Sequence, residues 1–153
     1  MDAIKNLLSR KSSKNLEAPF PSREEMDIVY KSALRAPDHA WLRPSKFLEF
    51  KGESLEKLSK IFKDFANEHY QEDKAFIEKA KIAPFRAPMV IVLITEIKNH
   101  PKVPAIEQML STSAATQNIL LALNALGYGA VWKTGKLALN ENIPKYFNLD
   151  KNH

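Results

Sequence analysis

The residues from Pro104 to Gly135 constrain the fold more than any other stretch of the chain. Between Ile106 and Leu126, Met109, Leu110, Ala114, Ala115, Ile119, Leu120, Leu121, Leu123 and Ala125 fall on nearly every side of a helical wheel. The segment therefore reads as a helix with little surface left for water. Gly127 stands where a left-handed helix cap is wanted, and Gly129–Lys133 then reads as a strand opening onto Thr134-Gly135. A helix of this kind is a core, and the other segments must pack around it.

What packs around it is bounded by size and composition. A chain of 153 residues is long enough for one domain with its own core. Hydrophobic residues at 44% and charged residues at 27% suit a soluble protein, and no uninterrupted apolar run is long enough to span a membrane. Residues 1–10 lack the basic-then-apolar pattern of a secretory signal, so the expectation is a cytoplasmic protein. The absence of cysteine excludes disulfides, thiol catalysis and thiolate metal sites. The four histidines, at 39, 69, 100 and 153, have no ligand spacing. A net charge of +5 raises nucleic acid as a partner. The lysines, however, alternate with Glu and Asp along helical segments, as at Glu56, Lys57, Lys60, Lys63 and Asp64, which is the pattern of a solvated face. The basicity better suits attraction of a phosphorylated small molecule.

Taken in order, Asp2 caps a short helix with Ile4, Leu7 and Leu8 on its apolar face, leading into the cationic run Ser9-Arg10-Lys11-Ser12-Ser13-Lys14. Residue types leave two readings of that run: a solvated helix end, or a cradle in which Arg, Lys and Ser hold a phosphate. Ser22 and Glu25 form a capping box, and Met26, Val29, Tyr30, Ala33 and Leu34 give the stripe of an amphipathic helix that must stop near Ala36, before Pro37. The loop from Arg35 to Pro44 holds two arginines, a histidine, an aspartate and a tryptophan. It reads either as a functional loop or as a connection with Asp38 capping locally and Trp41 packed on the core. Lys46–Phe50 reads as a strand; Leu55, Leu58, Phe62 and Phe65 mark a helix, and another spans Lys74 to Ala83. Met89–Ile94 is an apolar run expected at the sheet's centre, buried on both faces. Asn140 could cap a last helix through Ile143, Tyr146 and Phe147. Three strands and about six helices make an α+β domain with helices flanking the sheet. No dinucleotide, Walker or nucleophile-elbow motif is present.

Four stretches in register carry a resemblance. Leu8-Ser9-Arg10-Lys11-Ser12 matches a short helix followed by an R-[RK]-S element. Arg35-Ala36-Pro37-Asp38-His39 with Pro44 is similar to an R-A-P-D-H loop. Ala83–Pro88, then Lys102-Val103-Pro104 and Glu107-Gln108, form the third, and Gly127–Gly135 follows G-[FY]-G-x-x-W-[RK]-[ST]-G. Together they resemble the FMN-dependent nitroreductase family, in its compact NAD(P)H nitroreductase branch.

The resemblance implies a nitroreductase-like α+β fold, a central, mostly antiparallel sheet flanked by helices, and a homodimer with FMN at the subunit interface. It implies that Arg10, Lys11 and Ser12 bind the FMN of their own subunit, that Trp132, Lys133 and Thr134 line the same flavin, and that Arg35 and His39 reach FMN across the interface. Lys102 and Arg43 are weaker candidates for the substrate face. The implied activity is ping-pong transfer of hydride from NAD(P)H to a nitroaromatic, quinone or similar acceptor, the flavin carrying the chemistry and no side chain acting as nucleophile. Two departures stand out. Arg43 and Ser45 flank Pro44 where the family has Gln and Trp, and this leaves a non-catalytic flavin-binding homologue as the alternative. The family pattern also continues with a further apolar strand and an extension that embraces the partner, so the expectation is one domain, 1–153, lacking both.

Overall fold

The computed structural model describes residues 2–150 and 152–153. In chain order the elements are α1 (Ala3–Ser9), α2 (Arg23–Ala33), a 3-10 turn (His39–Trp41), β1 (Ser45–Lys51), α3 (Ser54–His69), α4 (Lys74–Ile82), a second 3-10 turn (Ala83–Arg86), β2 (Met89–Thr95), α5 (Ala105–Ala125), α6 (Lys136–Leu139) and α7 (Ile143–Tyr146). The helix starts follow from their caps. Asp2 accepts the Lys5 N–H at 3.0 Å. Ser22 and Glu25 close the reciprocal capping box, at 3.2 and 2.8 Å, and Asp73 accepts the Phe76 N–H at 2.9 Å. Each satisfies a donor that the first helical turn leaves orphaned, which stabilises the helix by about 1 kcal/mol.

The core lies where α2 crosses α5. Met26, Val29 and Ala33 bury against Ala115, Ile119 and Leu123, with Phe47 of β1 and Met89, Ile91 and Leu93 of β2 closing the far side. Burying a side chain such as Val29 or Ile119 contributes about 2 kcal/mol. A second, smaller cluster joins Ala66 of α3 to Ile77 and Ala80 of α4, with Leu137 of α6 packed on it. The fully buried Phe65 meets the rings of His69, Tyr70 and Tyr146, which ties α7 to α3.

Three sequence expectations need correction. The sheet has two strands among the described residues, β1 and β2, antiparallel with Ser45 opposite Thr95 and Lys51 opposite Met89. Gly129–Lys133 is not a third strand: it makes a single parallel bridge, Ala130 to Ser12, because no neighbouring strand runs beside it to supply a ladder. β2 is consequently not flanked on both sides, and Met89 to Leu93 are half-buried, with Ile94 alone buried. Most consequentially, α5 is not covered all round. Its N-terminal half turns Gln108, Ser111, Thr112, Ala115 and Thr116 inward, and leaves Ile106, Met109 and Leu110 outward, with Leu110 59% exposed.

The inward polar groups are satisfied. Gln108 receives the Lys98 N–H at 2.9 Å and donates to the Lys98 carbonyl at 2.9 Å and the Val103 carbonyl at 3.3 Å. Ser45 donates to the Thr112 hydroxyl at 3.0 Å. Polar inside and apolar outside inverts the usual helix pattern. The α1 helix repeats the outer half of it, with Ile4, Leu7 and Leu8 all exposed.

Candidate functional site

The C-terminal end of α5 is shaped by Gly127. At φ +91° it takes a left-handed conformation that other residues adopt only with strain, and its N–H bonds the Asn124 carbonyl at 3.1 Å while the Tyr128 N–H reaches back to the Leu123 carbonyl at 2.9 Å. This pair of bonds is the Schellman closure of a helix. The Tyr128 hydroxyl then donates to Glu25 at 2.9 Å. The Ser22 N–H, and after it this hydroxyl, hold the Glu25 carboxyl below the ordinary carboxylate range.

Across this corner lies the segment that follows α1. The Ser13 N–H donates to the Ala130 carbonyl at 3.0 Å. Gly129 lies so close beneath it that an added Cβ would stand 2.8 Å from the Ser13 hydroxyl oxygen and 3.2 Å from Ser13 Cβ. The helix end is fixed too: Asn6 donates to the Leu121 carbonyl at 3.0 Å, and Asn124 donates to Asn6 Oδ1 at 2.7 Å and to Ser9 Oγ at 3.1 Å.

Between segment and corner is a cavity of about 220 Å³, lined by Ser9, Arg10, Lys11, Ser13, Leu120, Asn124 and residues 127–130. Its chemistry is two cations, two serine hydroxyls, the Tyr128 hydroxyl already given to Glu25, an amide and exposed backbone, a donor set matched to a phosphate and a polyol chain. Arg10 and Lys11, singled out from sequence, are in this wall; Ser12 lies on the bridge to Ala130, exposed, and its neighbour Ser13 faces the cavity instead. Ser9 and Ser13 belong to the cationic run read from sequence without being singled out in it, and Asn124 escaped that reading. The one available signal was Asn124, an amide in the last turn of an otherwise apolar helix.

Trp132, Lys133 and Thr134 do not line this cavity, and all three are exposed. Among the described residues, the backbone groups of 131–134 make no hydrogen bond.

The loop from Arg35 to Pro44 sits at the opposite end of α5. The Ser111 hydroxyl donates to the Pro37 carbonyl at 2.8 Å, His39 Nδ1 meets Glu107 Oε2 at 2.6 Å, and the Lys98 ammonium donates to the Leu42 carbonyl at 2.6 Å. Asp38 accepts the Arg43 N–H at 2.7 Å, a bond that closes the loop, but its side chain does not cap the His39–Trp41 turn that follows it. Trp41 does not pack on the core. It is 75% exposed, with the Arg43 guanidinium 5.4 Å from its ring centre, a cation–π contact. Ala40, Trp41 and Arg43 have φ of 60°, 54° and 48°, left-handed values that are costly for residues with a Cβ and that recur where a loop is held for function. Arg35 is exposed beyond the end of α2. Lys102 is exposed in the turn before α5, its N–H 3.3 Å from His100 Nδ1.

The predicted residues thus form two groups. At 1.5 Å per residue, Glu107, which holds His39, is about 25 Å along α5 from Asn124, which walls the Arg10–Lys11 cavity. That separation belongs to His39; Arg35 lies nearer the middle of α5, its N–H bonding the Ser32 carbonyl that Asn118 also reaches.

Fold and site together describe a small α+β protein with a cationic, hydroxyl-lined cleft. The nitroreductase family model matches residues 7–153, and the chain belongs to that family. It is 36% identical over 147 residues to the Escherichia coli (strain K12) protein named "Putative NAD(P)H nitroreductase YdjA", the match covering 96% of this chain and 80% of that protein. Among solved structures, the nitroreductase-like family protein from Bacillus cereus superposes with a TM-score of 0.83 at 22% identity, over 99% of this chain and 80% of that one. A nitroreductase with bound FMN from Bacteroides fragilis NCTC 9343 superposes with a TM-score of 0.71 at 17% identity, over 98% and 81%. The fold is the nitroreductase-like α+β fold. No helix among the described residues is long and apolar enough to cross a membrane.

Proposed function

We propose that the protein is an FMN-dependent oxidoreductase that takes hydride from NAD(P)H and passes electrons to a nitroaromatic, quinone or similar electrophile by alternate use of one site, and that residues 1–153 act as one domain. The observation that carries this reading is the cleft between the post-α1 segment and the Gly127–Ala130 corner. It offers Arg10 and Lys11 for a phosphate, and Ser9, Ser13 and Asn124 for a ribityl chain. Trp132, Lys133 and Thr134 would continue the wall towards the ring, with exposed side chains and unengaged backbone groups available to it. FMN, when bound, supplies the redox chemistry. The chain's own residues hold it, orient it and set the charge around it, with Lys133 a cation at the ring's edge.

The active form in this reading is a homodimer. The outward apolar face of α5, Ile106, Met109 and Leu110, and that of α1, Ile4, Leu7 and Leu8, are the surfaces a second copy would cover. A two-fold arrangement also answers the separation of about 25 Å along α5, since Arg35 and His39 of one copy would serve the flavin held by Arg10 and Lys11 of the other. Arg43 and Lys102 would lie towards the acceptor.

Purification followed by an absorption spectrum and a steady-state assay tests the reading. Flavin bands, with NADPH or NADH oxidised in the presence of menadione or nitrofurazone, are expected. A protein that binds FMN without turnover would be a non-catalytic homologue. A colourless protein that fails to take up added FMN would overturn the proposal.

A further inference from the structure

Lys136 follows directly on the Trp132–Gly135 segment, and its ammonium is held more tightly than an exposed lysine requires. It stands 4.7 Å from the ring centre of Tyr70 and 4.8 Å from that of Phe76. It also donates to Asp73 Oδ2 at 3.1 Å. Asp73 uses its other oxygen to cap α4 at Phe76. The Phe76 N–H, and after it the Lys136 ammonium, keep the Asp73 carboxyl below its ordinary range. Two aromatic faces and a carboxylate around one cation make a three-sided clamp on the α3–α4 corner, and Leu137, next in the chain, packs on the apolar cluster beside it.

The clamp matters because of what it bounds. The segment from Val131 to Thr134 has no hydrogen bonds of its own among the described residues, so its conformation is set by its two ends. One end is Ala130, tied to Ser12 and Ser13. The other is Lys136.

We propose that Lys136 is a positioning residue for the flavin site: by clamping the segment to the α3–α4 corner it fixes where Trp132, Lys133 and Thr134 present themselves to the cofactor. The proposal rests on the reading of the cleft as an FMN site. Lys136 does not touch the flavin in this account; it removes freedom from the residues that do, so its effect is on affinity through preorganisation.

The test is a double-mutant cycle read by FMN fluorescence quenching on the full chain. Lys136→Met keeps the length and apolar stem of the side chain and removes the cation. It is expected to weaken FMN binding about fivefold, within the range of a cation–π contact at an exposed site. Lys136→Arg, which keeps a cation able to stack, is expected to stay within about twofold. In a background in which Trp132, Lys133 and Thr134 are all alanine, Lys136→Met should cost less than about twofold, because the residues it positions are gone. Equal losses in both backgrounds, or no loss in either, overturn the proposal while leaving the cofactor assignment intact. A starting protein that binds no FMN overturns both. Should Lys136→Met not fold, Asp73→Asn, which keeps the cap acceptor and removes the charge, takes its place in the cycle with the same expected pattern at about threefold.

Discussion

Gly129→Ala should both destabilise the protein and loosen its cofactor. The added Cβ would stand 2.8 Å from Ser13 Oγ, 3.2 Å from Ser13 Cβ and 3.2 Å from Leu16 Cδ2. Rotation of the Ser13 side chain relieves only the first of these. Ser13 Cβ is fixed to a backbone whose N–H donates to the Ala130 carbonyl at 3.0 Å. The segment must therefore lift by a few tenths of an ångström and stretch that bond. Overpacking of this kind costs about 1–3 kcal/mol, including a share of a hydrogen bond worth about 1. For a chain of this size that lowers Tm by roughly 3–10 °C. Arg10 and Lys11 ride on the same segment, so FMN affinity should fall by about tenfold as well. Differential scanning calorimetry and FMN titration measure the two effects. Ser13→Gly placed in the Gly129→Ala background removes two of the three contacts and should recover most of the stability. An alanine variant with unchanged Tm and FMN affinity would refute the close approach of segment and corner.

Other outcomes follow from the same geometry. Glu25 has its pKa lowered in the fold, from an ordinary 4.5, so it stabilises the native state fully above about pH 4.5, and that contribution is lost as pH falls through the folded value. Urea midpoints measured from pH 7 down to pH 3 should fall below pH 4.5, and less steeply in Glu25→Gln; identical slopes in the two proteins would remove Glu25 from the account. Leu110→Lys, at a position 59% exposed in the single chain, should change the stability of one copy by under about 0.5 kcal/mol yet shift the proposed dimer to monomer in sedimentation velocity. A variant that stays dimeric with an unchanged dissociation constant would show that the second copy sits elsewhere.

Much of the fold was legible because its determinants are local. Asp2, Ser22 and Glu25 announce helix starts through short-range hydrogen bonds, and Gly127 announces the end of α5 by a backbone conformation that glycine reaches without strain. The third strand was misread for the opposite reason. Val131 and Trp132 in Gly129–Lys133 suit a strand, but a strand exists only where a neighbour supplies its ladder, and here the neighbour is Ser12 alone. The α5 helix shows the same limit. Apolar residues on every side say that water is excluded from every side, not which molecule excludes it, and the chain's own elements cover the polar flank of Gln108 and Thr112 while leaving Leu110 bare. In the cleft, Arg10 and Lys11 stood out as a pair of cations, whereas Ser13 and Asn124 enter it through chain crossings that residue types do not encode.

The claim on which the rest depends is that each flavin site is built from two chains, with Arg10 and Lys11 from one and Arg35 and His39 from the other. Subunit complementation tests it directly. Arg10→Ala/Lys11→Ala and Arg35→Ala/His39→Ala variants, each deficient in FMN binding, are mixed, dissociated and reassociated. Shared sites predict that the mixed dimer regains one intact site, with tight FMN uptake approaching one per heterodimer. If both groups served a flavin within one chain, every site in the mixture would remain damaged, and no recovery of tight binding would contradict the account.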